Sequence, residues 1–379
     1  MSKKKEKERI IRISRRTDLK LWQKALIKTG FIVFAFLLCG LLSSVVAPGS
    51  FGSFYEYMLN GTFYNGKIFL NLMWQALLLF IIALAITPAF KMRFWNIGAE
   101  GQCLMGGLGA LIILKFVAPS VPLAIAIILE LIMSIIFASA WAVIPAVFKA
   151  KFNTNETLFT LMMNYIAMGI VSACVLAWST SGSNVLGIVN NDNHEGWLPF
   201  IGGLGNSYIL NIIIIVVVSI NVWSYLTFSK HGYELSVVGG SRDTAKYIGI
   251  NVKSVIVRTL LLSGAVCGFA GFLMVSGASH TISSTLVNGR GFTAILISWL
   301  GGFSVPMMFL YAFLVSFVSI GSSNAAAWIG YSSTVSSVLT GIFFILIIAS
   351  SFFINFKVHI KWPKKNDQKE PEKKKEEEQ

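Results

Sequence analysis

Polar side chains that could contact a small solute are concentrated in two glycine-rich segments of an otherwise apolar chain. These segments are residues 94–113 and 288–306. The side-chain amides of Asn96 and Gln102 offer donors and acceptors to a hydroxylated or heterocyclic solute, although they could equally satisfy the backbone of a broken helix. The full set of substrate-pathway candidates, which includes one residue of a neighbouring apolar stretch, is Asn96, Glu100, Gln102, Asn164, Phe292 and Thr293.

Two carboxylates also lie within apolar sequence and need a physical reason to be there. Glu130, in the run LAIAIILELIMS, is costly in hydrocarbon, so it has either a functional role or a protonated or paired carboxylate at a helix contact. Glu100 is expected in the opening turn of a helix, where the helix dipole favours a carboxylate even without solute contact. Asn155 and Glu156 are expected to cap the next helix, which leaves Asn164 as the better candidate for a buried polar contact.

The rest of the sequence has no pattern typical of an enzyme or a metal site. The motifs HExxH and GxSxG are absent, and the four histidines are scattered rather than clustered. The four cysteines lie in apolar stretches without a CxxC pair, so we expect them to be small packing residues. These absences argue against an integral-membrane hydrolase, and we expect no metal and no cofactor.

The elements that position these residues are predicted to be membrane-spanning helices. The 379 residues are 55% hydrophobic and 13% charged, whereas a soluble domain carries about 25% charged residues. Crossing a bilayer takes about 20 apolar residues in a helix. The sequence predicts an all-α polytopic membrane protein with about ten such segments, two of them interrupted by glycine: 25–47, 68–90, 97–118, 121–148, 157–179, 208–228, 255–277, 292–303, 307–322 and 334–356.

The net charge of +14 is explained by membrane topology rather than by nucleic acid. Basic residues cluster before residue 25, in every second loop and after residue 356, while the opposite loops hold only Lys67 and Arg290, with Lys115 near one helix end. By the positive-inside rule, both termini are predicted to be cytoplasmic, in a multi-pass protein of the cell membrane. The predicted organisation is a basic tail at 1–24, a transmembrane domain at 25–356 and a charged tail at 357–379, disordered from residue 361.

The longest interior cytoplasmic loop, residues 229–254, is predicted to contain one short helix. Ser241 can cap this helix, Asp243 favours its N-terminus and Gly249 can end it in a left-handed conformation. A helix of one or two turns is unstable alone, so either it docks on a partner or the loop is solvated and its basic residues only set topology. The coupling candidates are Gly240, Ser241, Asp243, Ala245, Tyr247 and Gly249.

Four sequence motifs resemble those of a known family and occur in the same order along the chain. They are FWNIGAEGQCLMG at 94–106, NETLFTLMMNYIA at 155–167, GGSRDTAKYIGINV at 239–252 and GRGFTAILISWLGG at 289–302. The chain resembles the permease subunits of bacterial ABC importers of the branched-chain amino acid and simple-sugar superfamily, and most closely the nucleoside-type permeases.

The resemblance implies a transport subunit that forms the pathway and hydrolyses no ATP itself. It also implies three protein partners besides the surrounding lipid bilayer: a cytoplasmic ABC ATPase, a second, paralogous permease and an extracellular substrate-binding lipoprotein. The loop at 239–252 looks like the coupling helix of such subunits, which fits a groove of the ATPase.

Three alternatives stay open at this point. The solute could be a simple sugar rather than a nucleoside. The protein could instead be a secondary transporter driven by an ion gradient, with Glu130 as the coupling carboxylate. A membrane scaffold without transport activity is the third alternative, although a scaffold has no need of paired broken helices.

Overall fold

The fold is almost entirely helical in the computed structural model, which describes residues 11–16, 19–179, 186–199 and 208–360. The tail from residue 361, predicted to be disordered, lies outside the described residues. In chain order the elements are β1 (Ile11–Arg15), α1 (Leu21–Val46), α2 (Phe51–Phe63), α3 (Gly66–Lys91), α4 (Ala99–Phe116), α5 (Leu123–Phe152), α6 (Glu156–Trp178), α7 (Tyr208–Phe228), α8 (Lys230–Gly240), α9 (Arg242–Tyr247), α10 (Val252–Met274) with a π-helical end (Val275–Ser279), α11 (Arg290–Leu300), α12 (Val305–Ile329), α13 (Ser333–Asn355) and β2 (Phe356–Ile360).

Nine helices of the described chain are long and apolar enough to cross a bilayer. They are α1, α3, α4, α5, α6, α7, α10, α12 and α13, and the first glycine-rich segment is among them as α4. The second glycine-rich segment forms α11, which is apolar but too short to span by itself. It runs along α3 from Gln75, which accepts from Arg290, to Phe90, whose ring centroid lies 6.4 Å from that of Trp299, and so corresponds to the tenth predicted passage of the chain. The prediction of a polytopic all-α membrane protein is therefore confirmed. The glycines of the first segment do not interrupt it, because α4 is continuous and the irregular backbone lies before it, at residues 92–98.

The largest compact unit, residues 52–337, has α4, α5 and α10 at its centre. These three helices pack on one another, α6 packs on α4, and α3 contacts α7, α10, α11 and α12. Glycines permit the close approach, since a Cβ on Gly106 would lie 2.6 Å from the Cα of Gly268. Gly264 and Gly268 face α5, where a Cβ on Gly268 would lie 2.6 Å from the Ser134 carbonyl oxygen. Gly264 and Gly268 have GxxxG spacing and form a helix-contact face.

A second compact unit consists of the described residues 11–16, 19–51 and 338–360. Its helices α1 and α13 are joined by ring contacts, with centroids 5.5 Å apart for Phe31 and Phe353 and 5.1 Å apart for Phe36 and Phe343. Strands β1 and β2 then pair antiparallel, so that the two ends of the described chain form a two-stranded ribbon.

Helix ends follow the capping residues of the sequence. Asn155 caps α6 by accepting hydrogen bonds from the backbone N–H groups of Thr157 and Leu158 at 3.1 and 3.3 Å. The neighbouring Glu156 pairs with Lys149 at 2.7 Å, across the turn that joins α5 to α6.

Three elements go beyond the sequence predictions. Helix α2 lies in a connection that was expected to be a loop, and α8 makes the cytoplasmic segment 229–254 more helical than the single short helix predicted. The β1–β2 ribbon places residues of the two predicted charged tails in regular structure.

Candidate functional site

A stretch of non-helical backbone, residues 92–98, separates α3 from α4 and is mostly buried, although Arg93 and Trp95 are exposed. The side chain of the fully buried Asn96 organises this stretch. Its Oδ1 accepts hydrogen bonds from the Gly98 N–H at 3.0 Å and from Gln102 Nε2 at 3.4 Å, while its Nδ2 donates to the Ser263 hydroxyl on α10 at 3.3 Å. The buried Gln102 Oε1 has no hydrogen-bond partner among the described residues. Asn96 therefore connects the broken backbone to α10.

Helix α6 supports the same stretch from the other side. Asn164 Nδ2 donates to the Ile97 carbonyl at 2.9 Å, and its Oδ1 accepts from the Gly101 N–H at 2.9 Å. The Thr160 hydroxyl accepts from the Ile97 N–H at 3.1 Å. Because the irregular backbone has no helical partners of its own, these side chains supply the hydrogen bonds that lipid cannot.

Glu100 joins the two glycine-rich segments, which lie almost 200 residues apart in the sequence. It sits in the first turn of α4, as predicted, and its side chain is 2% exposed. Its Oε1 accepts a hydrogen bond from the Gly289 N–H at 2.7 Å, and its Oε2 accepts one from the Gly291 N–H at 2.8 Å. One carboxylate therefore satisfies the backbone at the start of α11.

The start of α11 fits closely against α4 and is also fixed to α3. A Cβ on Gly291 would lie 2.5 Å from the backbone nitrogen of Glu100, so the position has no room for a side chain. Arg290 donates to Gln75 Oε1 on α3 at 2.8 Å and to the Val287 carbonyl at 3.1 Å. The junction of α3, α4 and α11 is thus a polar cluster within an apolar protein.

The six pathway candidates divide by exposure into two groups. The side chains of Asn96, Glu100, Gln102 and Asn164 are all buried and face other parts of the protein. Phe292 is exposed and Thr293 is partly buried, both in the first turn of α11, directly after the residues that Glu100 binds. The structure therefore brings the polar candidates together in a supporting network and leaves the two α11 residues accessible.

Glu130 lies apart from this network. Its carboxylate is fully buried and accepts a hydrogen bond from Ser276, in the π-helical end of α10, through one oxygen. The other oxygen has no partner among the described residues. Ser263, which contacts Asn96 from the middle of α10, and Ser276 are separated by about 20 Å of helix, so Glu130 lies at the C-terminal end of α10, away from the Asn96 network.

The short helix predicted between Ser241 and Gly249 is present as α9. The Ser241 hydroxyl accepts from the Thr244 N–H at 3.2 Å, and Gly249 has a left-handed φ of 84°. Asp243 forms an exposed pair with Lys246 at 3.4 Å. Tyr247 is 92% exposed, so its aromatic ring is free to contact a partner protein.

One face of α9 is anchored in the core. Ala245 is fully buried in an apolar cluster with Met92 and Phe94, the residues that lead into the Asn96 stretch. Helix α8 contributes Leu235 and Val238 to the same cluster. Helix α9 therefore presents an exposed face on a base that is packed against the broken segment.

Helix α8 is held tightly at both ends. A Cβ on Gly239 would lie 2.0 Å from the Lys91 carbonyl oxygen, so α8 approaches the end of α3 at backbone distance. His231 contacts the Tyr225 and Thr259 hydroxyls at 3.2 and 3.1 Å. Burial lowers the pKa of His231, with Glu234 acting in the opposite direction, so this imidazole favours its neutral form.

An apolar cavity of about 380 Å³ lies along the first half of α6. Its wall includes Leu158, Phe159, Met162 and Met163. It lies on the helix that carries Thr160 and Asn164, the two residues that support the broken segment. The cavity and the network therefore share helix α6.

Sequence analysis missed several members of the network. Thr160, Ser263 and Gln75 are single polar residues in apolar helices, and Arg290 had been taken as a loop charge. Their signal was present, because a polar residue inside a membrane helix is costly unless it is paired. Their partners lie too far away in the sequence to be assigned from spacing.

A polytopic helical protein whose interior contains broken, hydrogen-bonded segments has the architecture of a membrane transporter. The family model described as the permease component of branched-chain amino acid transport systems matches residues 68–348. The chain therefore belongs to this permease family, and the predicted family is confirmed. It is a multi-pass subunit of the cell membrane.

Curated relatives cover most of the chain. The guanosine ABC transporter permease protein NupP of Bacillus subtilis is 30% identical over 84% of this chain and 92% of that protein. The glucose ABC transporter permease protein TsgB13 of Haloferax volcanii is 26% identical over 77% and 79%. The nucleoside ABC transporter permease protein NupB of Lactococcus lactis subsp. cremoris is 27% identical over 62% and 67%.

Proposed function

We propose that this chain forms the translocation pathway of an ATP-driven importer of nucleosides. The observation that carries the proposal is the junction at Glu100, which holds two broken segments together inside a permease-family protein. Irregular backbone at membrane depth is stable only where it is buried in protein or lines a cavity. A pathway beside this junction explains why the chain keeps such costly backbone.

Two relatives that cover most of this chain support nucleosides as the substrate class. Their names specify guanosine and nucleosides. The accessible candidates on α11, Phe292 and Thr293, offer an aromatic face and a hydroxyl group, which suit the base and the ribose of such a solute. The relative named for glucose keeps a simple sugar as the second candidate.

The coupling part of the proposal assigns α9 to an ATPase groove. The exposed Tyr247 and Asp243 would contact the ATPase, while the buried Ala245 would transmit the displacement of α9 to Met92 and Phe94. The remaining partners are a second permease, which we take to be a paralogue, and an extracellular lipoprotein that delivers the solute. No ATP hydrolysis is assigned to this chain.

Uptake measurements test the transport proposal. Labelled guanosine, adenosine, uridine and glucose are supplied to cells with and without the chain, and to cells whose partner ATPase lacks its catalytic base. We expect nucleoside uptake to be lost in both deficient strains and glucose uptake to be unchanged. Loss of glucose uptake alone would transfer the proposal to sugars.

The same assay distinguishes an ATP-driven importer from a transporter driven by an ion gradient. Nucleoside uptake that survives ATPase inactivation but disappears with Glu130→Gln and on dissipation of the proton gradient would contradict the ABC proposal. We expect Glu130→Gln to retain uptake, because Glu130 lies at the far end of α10 from the Asn96 network.

The coupling proposal predicts that Ala245→Met uncouples transport from ATP hydrolysis. A larger side chain at this fully buried position would displace α9, with a cost of about 1–3 kcal/mol. We expect a severalfold lower ratio of nucleoside uptake to ATP hydrolysis in the reconstituted complex. The control is Ala140→Met, an equal enlargement at an exposed position of α5. Equal losses in the two variants would remove α9 from the coupling route.

A further inference from the structure

The ribbon formed by β1 and β2 carries positive charge that the described part of its own unit does not neutralise. Residues 11–16, 19–51 and 338–360 contain seven Lys and Arg residues and no Asp or Glu. From residue 9 to residue 28 the sequence has seven basic residues against one acidic residue. The anions that balance this charge therefore come from outside these ranges.

The ribbon is fixed directly to the ends of two membrane helices. Strand β2 begins at Phe356, immediately after α13 ends at Asn355, and the Arg16 N–H donates to the Asn355 carbonyl at 2.8 Å. Strand β1 is followed by α1, which begins at Leu21. The ribbon is about 17 Å long, so it cannot extend far from the end of the span.

The exposed side chains near this junction are those found at a membrane interface. Residues directly opposite in an antiparallel pair share a face, which places Ile13 with Val358, and Arg15 with Phe356. Ile13 is 55% exposed, and Trp22, in the first turn of α1, is 62% exposed. Exposed aromatic and aliphatic side chains beside cations fit the headgroup region of a bilayer.

We propose that this terminal ribbon, together with the first turn of α1, binds the anionic headgroups of membrane phospholipids. The basic side chains that would contact phosphate are Arg15, Arg16, Lys20, Lys24 and Lys357. Phospholipid is favoured over an acidic protein surface because the ribbon adjoins the helix ends and exposes apolar side chains beside its charges. Basic residues next to a span bind anionic lipids electrostatically, and salt weakens this binding.

The test measures phospholipid binding to the delipidated full-length permease in neutral detergent. The protein is titrated with headgroup-labelled phosphatidylglycerol or phosphatidylcholine at low and high salt. We expect a preference for phosphatidylglycerol that high salt weakens. Changing Arg15, Arg16, Lys20, Lys24 and Lys357 to Gln should lower the apparent affinity for phosphatidylglycerol by about tenfold or more.

Two matched variants make the result specific. Changing Lys91, Lys151, Lys230, Lys246 and Lys253 to Gln removes the same charge from exposed positions that are spread over five helices rather than grouped, and should alter affinity by less than about twofold. Arg15→Lys with Arg16→Lys keeps the charge and should bind as the unchanged protein does. Loss of binding in this last variant would indicate a structural effect and overturn the proposal.

Other outcomes would also overturn it. If the protein without substitutions showed no preference for phosphatidylglycerol, acidic residues of the terminal tails would already balance the charge of the ribbon. An equal fall in the two five-residue variants would mean that the binding is general surface attraction. If the ribbon variant still bound phosphatidylglycerol but no longer co-purified with the ATPase, the ribbon would be assigned to a protein contact instead.

Discussion

Glu100 shows how a buried carboxylate can serve architecture in a membrane protein. Its two oxygens accept from two backbone N–H groups that precede or begin α11 and would otherwise be unpaired. The single residue between these groups, Arg290, supplies a nearby positive charge and is itself bound to Gln75. A charge that would be costly alone is thereby shared by a connected polar cluster.

We expect Glu100→Gln to destabilise the protein. A carboxamide keeps only one acceptor oxygen and places an N–H₂ group against a backbone donor, which costs about 1–3 kcal/mol for the group left unpaired. The measurement is thermal unfolding of the purified permease. Glu56→Gln, at an exposed position of α2, is the control and should change stability by less than about 0.5 kcal/mol. Equal stabilities of the two variants would contradict the role of Glu100.

At the scale of single residues, the sequence predicted which side chains make buried polar contacts but not which residues they contact. Asn164 was expected to make a buried polar contact, and it binds Ile97 and Gly101. The link from Glu100 to Gly289 was not predictable, because it joins residues from opposite halves of the chain. Such a contact depends on helix packing, which a single sequence does not specify.

At the element scale, the central helices depend on glycine for their separation. A Cβ on Gly271 of α10 would lie 2.3 Å from the Cys103 carbonyl oxygen and 2.6 Å from the Gly107 nitrogen, both on α4. A Cβ on Gly169 of α6 would have no atom within 4 Å among those of neighbouring elements. The two glycines therefore differ in packing while both are helical.

We expect Gly271→Ala and Gly169→Ala to have opposite effects. Gly271→Ala must separate α10 from α4 and should lower the free energy of unfolding by about 1–3 kcal/mol. The second fills no contact and should stabilise the protein by up to about 1 kcal/mol, because alanine is the better helix former. Thermal unfolding of both variants measures the difference. A stabilising Gly271→Ala would show that α4 and α10 are less closely packed than described.

Sequence prediction of elements was reliable where length and hydropathy act alone. All eight long apolar segments became helices, and the first glycine-rich segment became α4. Helix α8 was missed because its sequence, KHGYELSVVGG, has glycines near both ends and a mixed polar composition. Its stability comes from packing of Leu235 and Val238 in the core cluster, which local propensity does not report.

At the scale of the whole molecule, the basic residues lie at helix ends in a pattern that predicts the orientation of the helices in the membrane. Lys91, Lys151 and Lys253 are exposed near ends of α3, α5 and α10 that share one predicted side. Lys67 stands at the opposite end of α3. The positive-inside rule therefore predicts that α8, α9 and the ribbon lie on the cytoplasmic side, which both proposed contacts require.

Cysteine labelling tests this orientation in intact cells. Lys246→Cys on α9 and Lys357→Cys on β2 should react with a membrane-impermeant thiol reagent only after permeabilisation, whereas Lys67→Cys and Asp192→Cys should react before it. All four positions are exposed, so differences in reactivity report sidedness. The unaltered chain is a suitable background, because Cys39, Cys103 and Cys267 are buried and Cys174 is only partly exposed.

The pattern of the four variants separates the possible errors. Labelling of Lys246→Cys in intact cells would reverse the central unit and exclude α9 from contact with a cytoplasmic ATPase. Labelling of Lys357→Cys alone would reverse only the assignment of the ribbon, since positive charges at the end of a chain can be placed independently of earlier loops. The lipid proposal would then refer to the outer leaflet, while the coupling proposal would stand. Orientation is therefore the property on which the two proposals can be separated most directly.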